Sequence, residues 1–120
     1  MPTWTDISVF SYVDPADRYR YLRLTNLVAA HLSRAGFTNF GSLTAGFSYE
    51  GVVGGVVYFE CEIGHTTVGA RLEFSKHGRA VKGDLRRYGD LVARVTKKTE
   101  SRLILENHAL DLILEKGWSL

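Results

Sequence analysis

The sequence is poor in the residues that crosslink a chain or anchor it in a membrane. It has one cysteine, Cys61, and two prolines among 120 residues. A single cysteine excludes an internal disulfide, and it cannot by itself supply the thiolates of a structural zinc site. No segment approaches the roughly 18 consecutive apolar residues that cross a bilayer. The first residues carry no positive charge ahead of an apolar run, so we expect no export signal and a cytoplasmic protein.

Recognisable catalytic motifs are also scarce. The four histidines are scattered, and no two lie at the spacing of helical metal ligands. The glycine-rich stretch 51–55 lacks the Gly-Lys-Ser/Thr ending of a phosphate loop and precedes a predicted strand rather than a helix. Cys61 falls on a predicted apolar face, where a buried core residue is the expected role. We therefore predict no enzyme activity, no cofactor and no metal.

Two glutamates and a histidine support the hypothesis that we rank last, a small enzyme. Glu60 and Glu62 are predicted on one strand face, roughly 7 Å apart from the rise of a strand, and His65 follows them. Two carboxylates at this distance can serve as general acid and base. A solvated strand face is the simpler explanation of the same pattern.

What the chain does contain is the composition of an ordinary globular domain. Apolar residues make up 45% and charged residues 23% of the sequence. A chain of 120 residues is long enough for a hydrophobic core without crosslinks, and no linker or repeat divides it. The sequence predicts one domain over residues 1–120.

A helix is predicted from Asp14 to Gly36. Asp14 suits the N-cap, Pro15 suits the first helical position, and Gly36 can adopt the left-handed conformation that ends a helix. The preceding stretch 5–13 is rich in β-branched and aromatic residues and is a weaker candidate for a strand. Between the two helix ends, one apolar stripe runs at helical spacing: Tyr21, Leu24, Val28, Leu32 and Ala35.

Three half-buried strands are predicted next, because apolar and polar residues alternate over 42–50, 57–63 and 67–74. Gly64 and His65 suit a two-residue hairpin loop with glycine at the first turn position. This register predicts three cross-strand pairs: Cys61 with Val68, Phe59 with Ala70, and Tyr58 with Arg71.

The hairpin before it is less regular. A two-residue loop at Gly54 and Gly55 would split the apolar face, so we expect a three-residue loop near 51–53 or a bulge at the glycines.

The remainder is predicted to begin with a loop over 75–83. From Asp84, apolar residues at helical spacing indicate a helix, although a strand over 91–95 is an alternative. A last helix would begin near Thr99 or Ser101 and end at Gly117. The fold class is therefore α+β, with an antiparallel three- to four-stranded meander and helices packed on one face.

Charge is the most informative feature of this part of the chain. The net charge is only +2, but residues 71–102 hold ten Lys or Arg against four acids. Cations with interleaved aromatic rings suit anionic partners, since guanidinium groups pair with carboxylates or phosphates and rings stack on bases. The candidate partner- or nucleic-acid-binding residues are Tyr58, Arg71, Lys76, Arg79, Lys82, Arg86, Arg87, Tyr88 and Arg94.

These features favour a non-enzymatic protein-binding module, of the regulator, inhibitor or immunity type. It would act through its sheet face and its basic helix on another protein, with an acidic protein as one candidate. The alternative is a nucleic-acid-binding protein that uses segment 71–102. A homodimer formed through an unpaired strand edge is a further version of the first hypothesis.

Overall fold

A computed structural model describes residues 4–46, 54–95 and 105–107 of the chain. In these residues the elements are a 3₁₀ helix Ile7–Phe10, α1 Pro15–Arg34, β1 Thr44–Ala45, β2 Val56–Ile63, β3 Thr66–Phe74, a second 3₁₀ segment Lys76–Gly78, β4 Val81–Arg87, β5 Asp90–Val95 and β6 Leu105–Asn107. They make an α+β fold with an antiparallel sheet, as predicted.

The predicted ends of α1 are confirmed. The Asp14 carboxylate accepts a hydrogen bond from the backbone N–H of Ala16 at 2.9 Å. At the other end Gly36 has φ +105°. The N–H of Phe37 reaches back to the carbonyl of Leu32 at 3.0 Å, which completes a Schellman cap.

The sheet is a simple antiparallel meander in the order β1 to β6. The predicted register between β2 and β3 is confirmed in all three pairs, and Ile63 opposite Thr66 leaves a two-residue turn. Gly64 takes φ +61° there, the conformation expected at the first position of this turn.

The predicted three to four strands are too few. β2 to β6 are five strands, and the two-residue β1 adds a short edge beside β2. The helix predicted from Asp84 is wrong, because residues 81–87 and 90–95 form the β4–β5 hairpin. Tyr88 and Gly89 have φ +50° and +90°, and two positive φ values are typical of a type I′ turn. The alternative strand over 91–95 is confirmed.

Two further predictions are corrected. Residues 7–10 of the predicted first strand form a 3₁₀ helix, which begins where the Asp6 carboxylate accepts the N–H of Ser8 at 2.9 Å. Residues 105–107 of the predicted last helix form β6. The rest of that helix, the second half of strand 42–50 and the expected loop at 51–53 lie outside the described residues.

The core lies between α1 and one face of the sheet, here called the inner face. The ring of Tyr21 from α1 stacks on Phe74 of β3 with centroids 4.7 Å apart, and Phe10 packs edge-on against both rings. Alternation along the strands sends the apolar residues to this face and the charged residues to the opposite, outer face. In the described ranges, no helix combines the length and the apolar character that a membrane span requires.

Candidate binding face

The outer face carries a row of polar side chains that crosses four strands. Tyr58 of β2 lies opposite Arg71 of β3, Arg71 lies opposite Asp84 of β4, and Asp84 lies opposite Arg94 of β5. Cross-strand neighbours are close enough to interact directly. With the residues beside this row, they form what we call the outer-face cluster: Tyr58, Arg71, Glu73, Lys82, Asp84, Arg86 and Arg94.

Arg71 is the most enclosed cation of the cluster. Its Nε donates to the Tyr58 hydroxyl at 3.2 Å, and its Nη1 donates to the Glu73 carboxylate. Burial alone would lower the pKa of Arg71, but the hydrogen bonds to Glu73 and Tyr58 outweigh it and raise the pKa. Arg71 therefore stays charged, and its contacts with Tyr58 and Glu73 fix the orientation of its guanidinium group.

Each carboxylate of the cluster lies between two cations. Glu73 accepts from Arg71 and also has the Lys82 ammonium at 3.5 Å. The hydrogen bond from Arg71, with the nearby Lys82 charge, holds the pKa of Glu73 below its ordinary value. Asp84 has the guanidinium groups of Arg86 and Arg94 at 3.4 and 3.7 Å.

The cluster consequently has an excess of positive charge, because four cations share two carboxylates. Three of the four cations are exposed: 63% of the Lys82 side chain, 46% of Arg86 and 45% of Arg94 are accessible. Ion pairs this exposed contribute at most about 1 kcal/mol, so these side chains can exchange partners at low cost. A cleft of about 420 Å³ opens among Arg71, Glu73, Lys82, Gly83, Asp84, Arg94 and Val95.

The structure brings five of the nine predicted residues into this cluster and places the other four elsewhere. Lys76 and Arg79 lie at the 3₁₀ segment before β4, whereas Arg87 ends β4 and Tyr88 begins the turn after it. Seven strand residues separate these two places by about 20 Å. The basic segment is therefore divided among three locations rather than forming one continuous surface.

The β4–β5 turn presents its aromatic ring to solvent. Tyr88 is 82% exposed, and the guanidinium carbon of Arg87 lies 5.4 Å from the centre of its ring. Arg86 Nη1 donates to the carbonyl of Gly89 at 2.8 Å and closes the turn. We call Arg87, Tyr88 and Gly89 the hairpin tip.

The sequence interpretation missed the two acids of the cluster. Glu73 is two residues from Arg71 on the same strand, so the alternation contained the signal for their contact. The helix predicted from Asp84 would not bring its carboxylate between two arginines. A strand over 81–87 would have placed it opposite Arg71 and Arg94.

The other candidate residues lie apart from the cluster. Cys61 is 1% exposed on the inner face, and burial raises its pKa to about 12. Glu62 accepts a hydrogen bond from Asn39 Nδ2 at 2.6 Å, and His65 is exposed in the β2–β3 turn. Over residues 4–46 and 54–95, no group of three or more His, Cys, Asp or Glu side chains could hold a metal ion.

Comparisons of the chain with protein-family models, with curated proteins and with solved structures found no match. The geometry of the described residues is therefore the basis for assigning a function.

Proposed function

We propose that the protein is a small non-enzymatic binding module that docks onto an acidic segment of another protein through the outer-face cluster. The regulator, inhibitor and immunity types are the classes that this activity fits. The observation that carries the proposal is the set of four cations around two carboxylates on the outer face. The contact surface is made of strands, and the β4–β5 hairpin replaces the basic helix predicted from the sequence.

The spacing of the cations suits an extended acidic chain. Arg71, Lys82 and Arg94 lie on three adjacent strands, and neighbouring strands are about 4.8 Å apart. A peptide that crosses the strands along the row of Arg71, Asp84 and Arg94 would therefore meet a cation on β3 and another on β5, about 10 Å apart, with Lys82 two residues to one side of Asp84 on β4. Guanidinium groups can hold a carboxylate with two parallel hydrogen bonds, which gives such contacts direction as well as energy.

Competition from the cluster's own acids limits the expected affinity for an acidic partner. Glu73 and Asp84 already form ion pairs with these cations, so a partner gains only the difference between the new and the old pairs. Charge complementarity of this kind mainly raises the association rate and selects partners by charge. Binding should therefore weaken as salt is added.

The test is capture of partner proteins from a nuclease-treated native extract with two matched double variants. Lys82→Glu with Arg94→Glu reverses two exposed charges of the cluster, whereas Lys76→Glu with Arg79→Glu makes the same charge change at the 3₁₀ segment. We expect the first variant to lose its partner and the second to keep it. Equal loss of the partner by both variants would show that only net charge matters. Capture of the partner by both variants would show that the cluster is not part of the interface.

Nucleic acid is the second candidate, and the hairpin tip favours it. An exposed tyrosine ring with an arginine at 5.4 Å offers stacking for a base and charge for a phosphate. Arg86→Ala with Arg87→Ala should then weaken binding to a labelled single-stranded oligonucleotide, and the affinity should fall steeply with salt. Absence of any anisotropy change at low salt would rule this candidate out.

Homodimerisation and a cytoplasmic location stay predictions. Both residues of β1 are exposed at one edge of the sheet, where a second copy could add a strand. Size-exclusion chromatography with light scattering over a wide concentration range tests the dimer, and a constant monomer mass would contradict it.

A further inference from the structure

A second cleft lies between the N-terminal segment and the loop that precedes β1. Its volume is about 530 Å³, which is within the range of small-molecule sites. We call it the Trp4 cleft, and its described lining residues are Trp4, Thr5, Asp6, Val9, Phe40, Gly41, Ser42 and Leu43.

Two aromatic rings form a corner of this cleft. The ring centres of Trp4 and Phe40 are 6.3 Å apart and their planes meet at 79°. Phe59 lies against both rings, 5.1 Å from Trp4 and 6.1 Å from Phe40, and is itself 3% exposed. Phe59 therefore supports the corner from the core side, while Trp4 and Phe40 are only partly buried.

The indole of Trp4 is fixed before any ligand arrives. The backbone N–H of Trp4 donates to Asn26 Oδ1 at 2.9 Å, and Asn26 Nδ2 donates to the backbone carbonyl of Trp4 at the same distance. Its indole Nε1–H donates to the carbonyl of Gly41 at 3.1 Å. These bonds use the polar atoms of Trp4 within the protein, so a ligand meets a ring that is already positioned.

The charge of the lining is negative. Asp6 is the charged residue among the described lining residues, and its Oδ1 accepts the N–H of Ser8 at 2.9 Å. The capping bond orients the carboxylate, and the hydrogen bond from the Ser8 hydroxyl, with this backbone bond, lowers the pKa of Asp6. Neutral polar groups from Thr5 and Ser42 complete the rim.

We propose that the Trp4 cleft binds the methylated ammonium group of a small organic cation. A cation within about 6 Å of two ring centres is attracted by both π faces. Each methyl group replaces an N–H donor and enlarges the ion, so a fully methylated ammonium loses less hydration on leaving water than a primary ammonium does, and its methyl groups can pack against the apolar walls. The Asp6 carboxylate at the rim supplies the opposite charge.

The experiment uses the full-length chain with Trp118→Phe in every sample, so that Trp4 is the one tryptophan that fluoresces. Choline and its neutral isostere 3,3-dimethylbutan-1-ol are titrated separately at constant ionic strength. We expect choline to change the Trp4 emission saturably, with an affinity about tenfold above that of the alcohol. No saturable change with choline, or equal affinities for the two compounds, would overturn the proposal.

Two variants locate the site. Asp6→Asn keeps a capping side chain, since asparagine caps as well as aspartate, but removes the charge. Phe40→Leu keeps an apolar wall but removes one π face. Each should weaken choline binding several-fold without a change in binding of the alcohol, and an unchanged choline affinity in both would contradict the assignment. Thermal unfolding of each variant without ligand checks that its fold is intact.

Discussion

At the scale of single residues, Cys61 illustrates how the inner face suppresses reactivity. It lies between Phe59 and Ile63 on β2 and is 1% exposed. Burial raises its pKa to about 12, with a smaller contribution from the charge of Glu62. The folded state therefore holds the thiol proton to higher pH than the unfolded state does, so this group makes the protein less stable as the pH rises from about 9 towards 12.

We expect iodoacetamide to label native Cys61 at least about a hundredfold more slowly at pH 8 than the urea-unfolded chain, because the reagent needs both access and a thiolate. Mass spectrometry of timed samples measures both rates. Similar rates in the two states would show that Cys61 is not part of the core.

A second prediction at this scale concerns Glu73. The hydrogen bond from Arg71 lowers the pKa of Glu73, so its contribution to stability is present above the ordinary value of 4.5 and is lost as the pH falls through the lowered value. Glu73→Gln should reduce the free energy of unfolding by about 0.5–1 kcal/mol at pH 7. Denaturant unfolding should show this difference shrinking below pH 4.5. A difference that stays constant with pH would contradict the assignment.

At the scale of elements, the β4–β5 turn combines two opposing effects. Tyr88 adopts φ +50°, where a residue other than glycine or asparagine lowers the free energy of unfolding by roughly 1 kcal/mol. Its ring lies near Arg87, and an exposed cation–π contact contributes about 0.5–1 kcal/mol. The tyrosine is therefore nearly neutral for stability.

Asparagine and alanine at position 88 separate these two effects, because both lack the ring and only asparagine tolerates the turn conformation. We expect Tyr88→Asn to be more stable than Tyr88→Ala by about 0.5–1 kcal/mol in denaturant unfolding. Tyr88→Phe serves as the control that keeps the ring. Equal stability of the asparagine and alanine variants would show that the turn imposes no such strain.

Elements with a strong local signal could be predicted from the sequence, and those with two compatible patterns could not. The cap at Asp14, the left-handed Gly36 and the glycine of the β2–β3 turn are local requirements, and all three are met. Leu85, Val92 and Val95 fit helical spacing, but a bulge between Leu85 and Arg86 also lets them face one side of a hairpin. Only pairing with β3, a long-range contact, decides between these readings.

The same limit applied to the candidate site. The basic segment could be found by counting charge. Its division into the outer-face cluster, the 3₁₀ segment and the hairpin tip depends on β4 and β5, which form where the sequence predicts a helix. The Trp4 cleft left no signal in the sequence, because Trp4, Asp6 and Phe40 come together only when the N-terminal segment packs beside the loop before β1.

At the scale of the whole molecule, the two faces of the sheet differ in what they can do. The inner face shares one apolar core with α1, which fixes the strands in place. The outer face carries charges whose mutual pairing is weak enough to be exchanged. Under the proposed function, a sheet held by this core would present its cations to an acidic partner without ordering its own backbone on binding.

Two-dimensional NMR of the ¹⁵N-labelled protein, titrated with a glutamate-rich peptide and with the same peptide carrying glutamine at each glutamate, tests this most directly. We expect the glutamate peptide, but not the glutamine peptide, to shift the backbone amide signals of Arg71, Lys82, Asp84 and Arg94. High salt should suppress these shifts. Shifts confined to α1 or to the hairpin tip, or equal shifts with the glutamine peptide, would contradict recognition of acidic partners by the outer face.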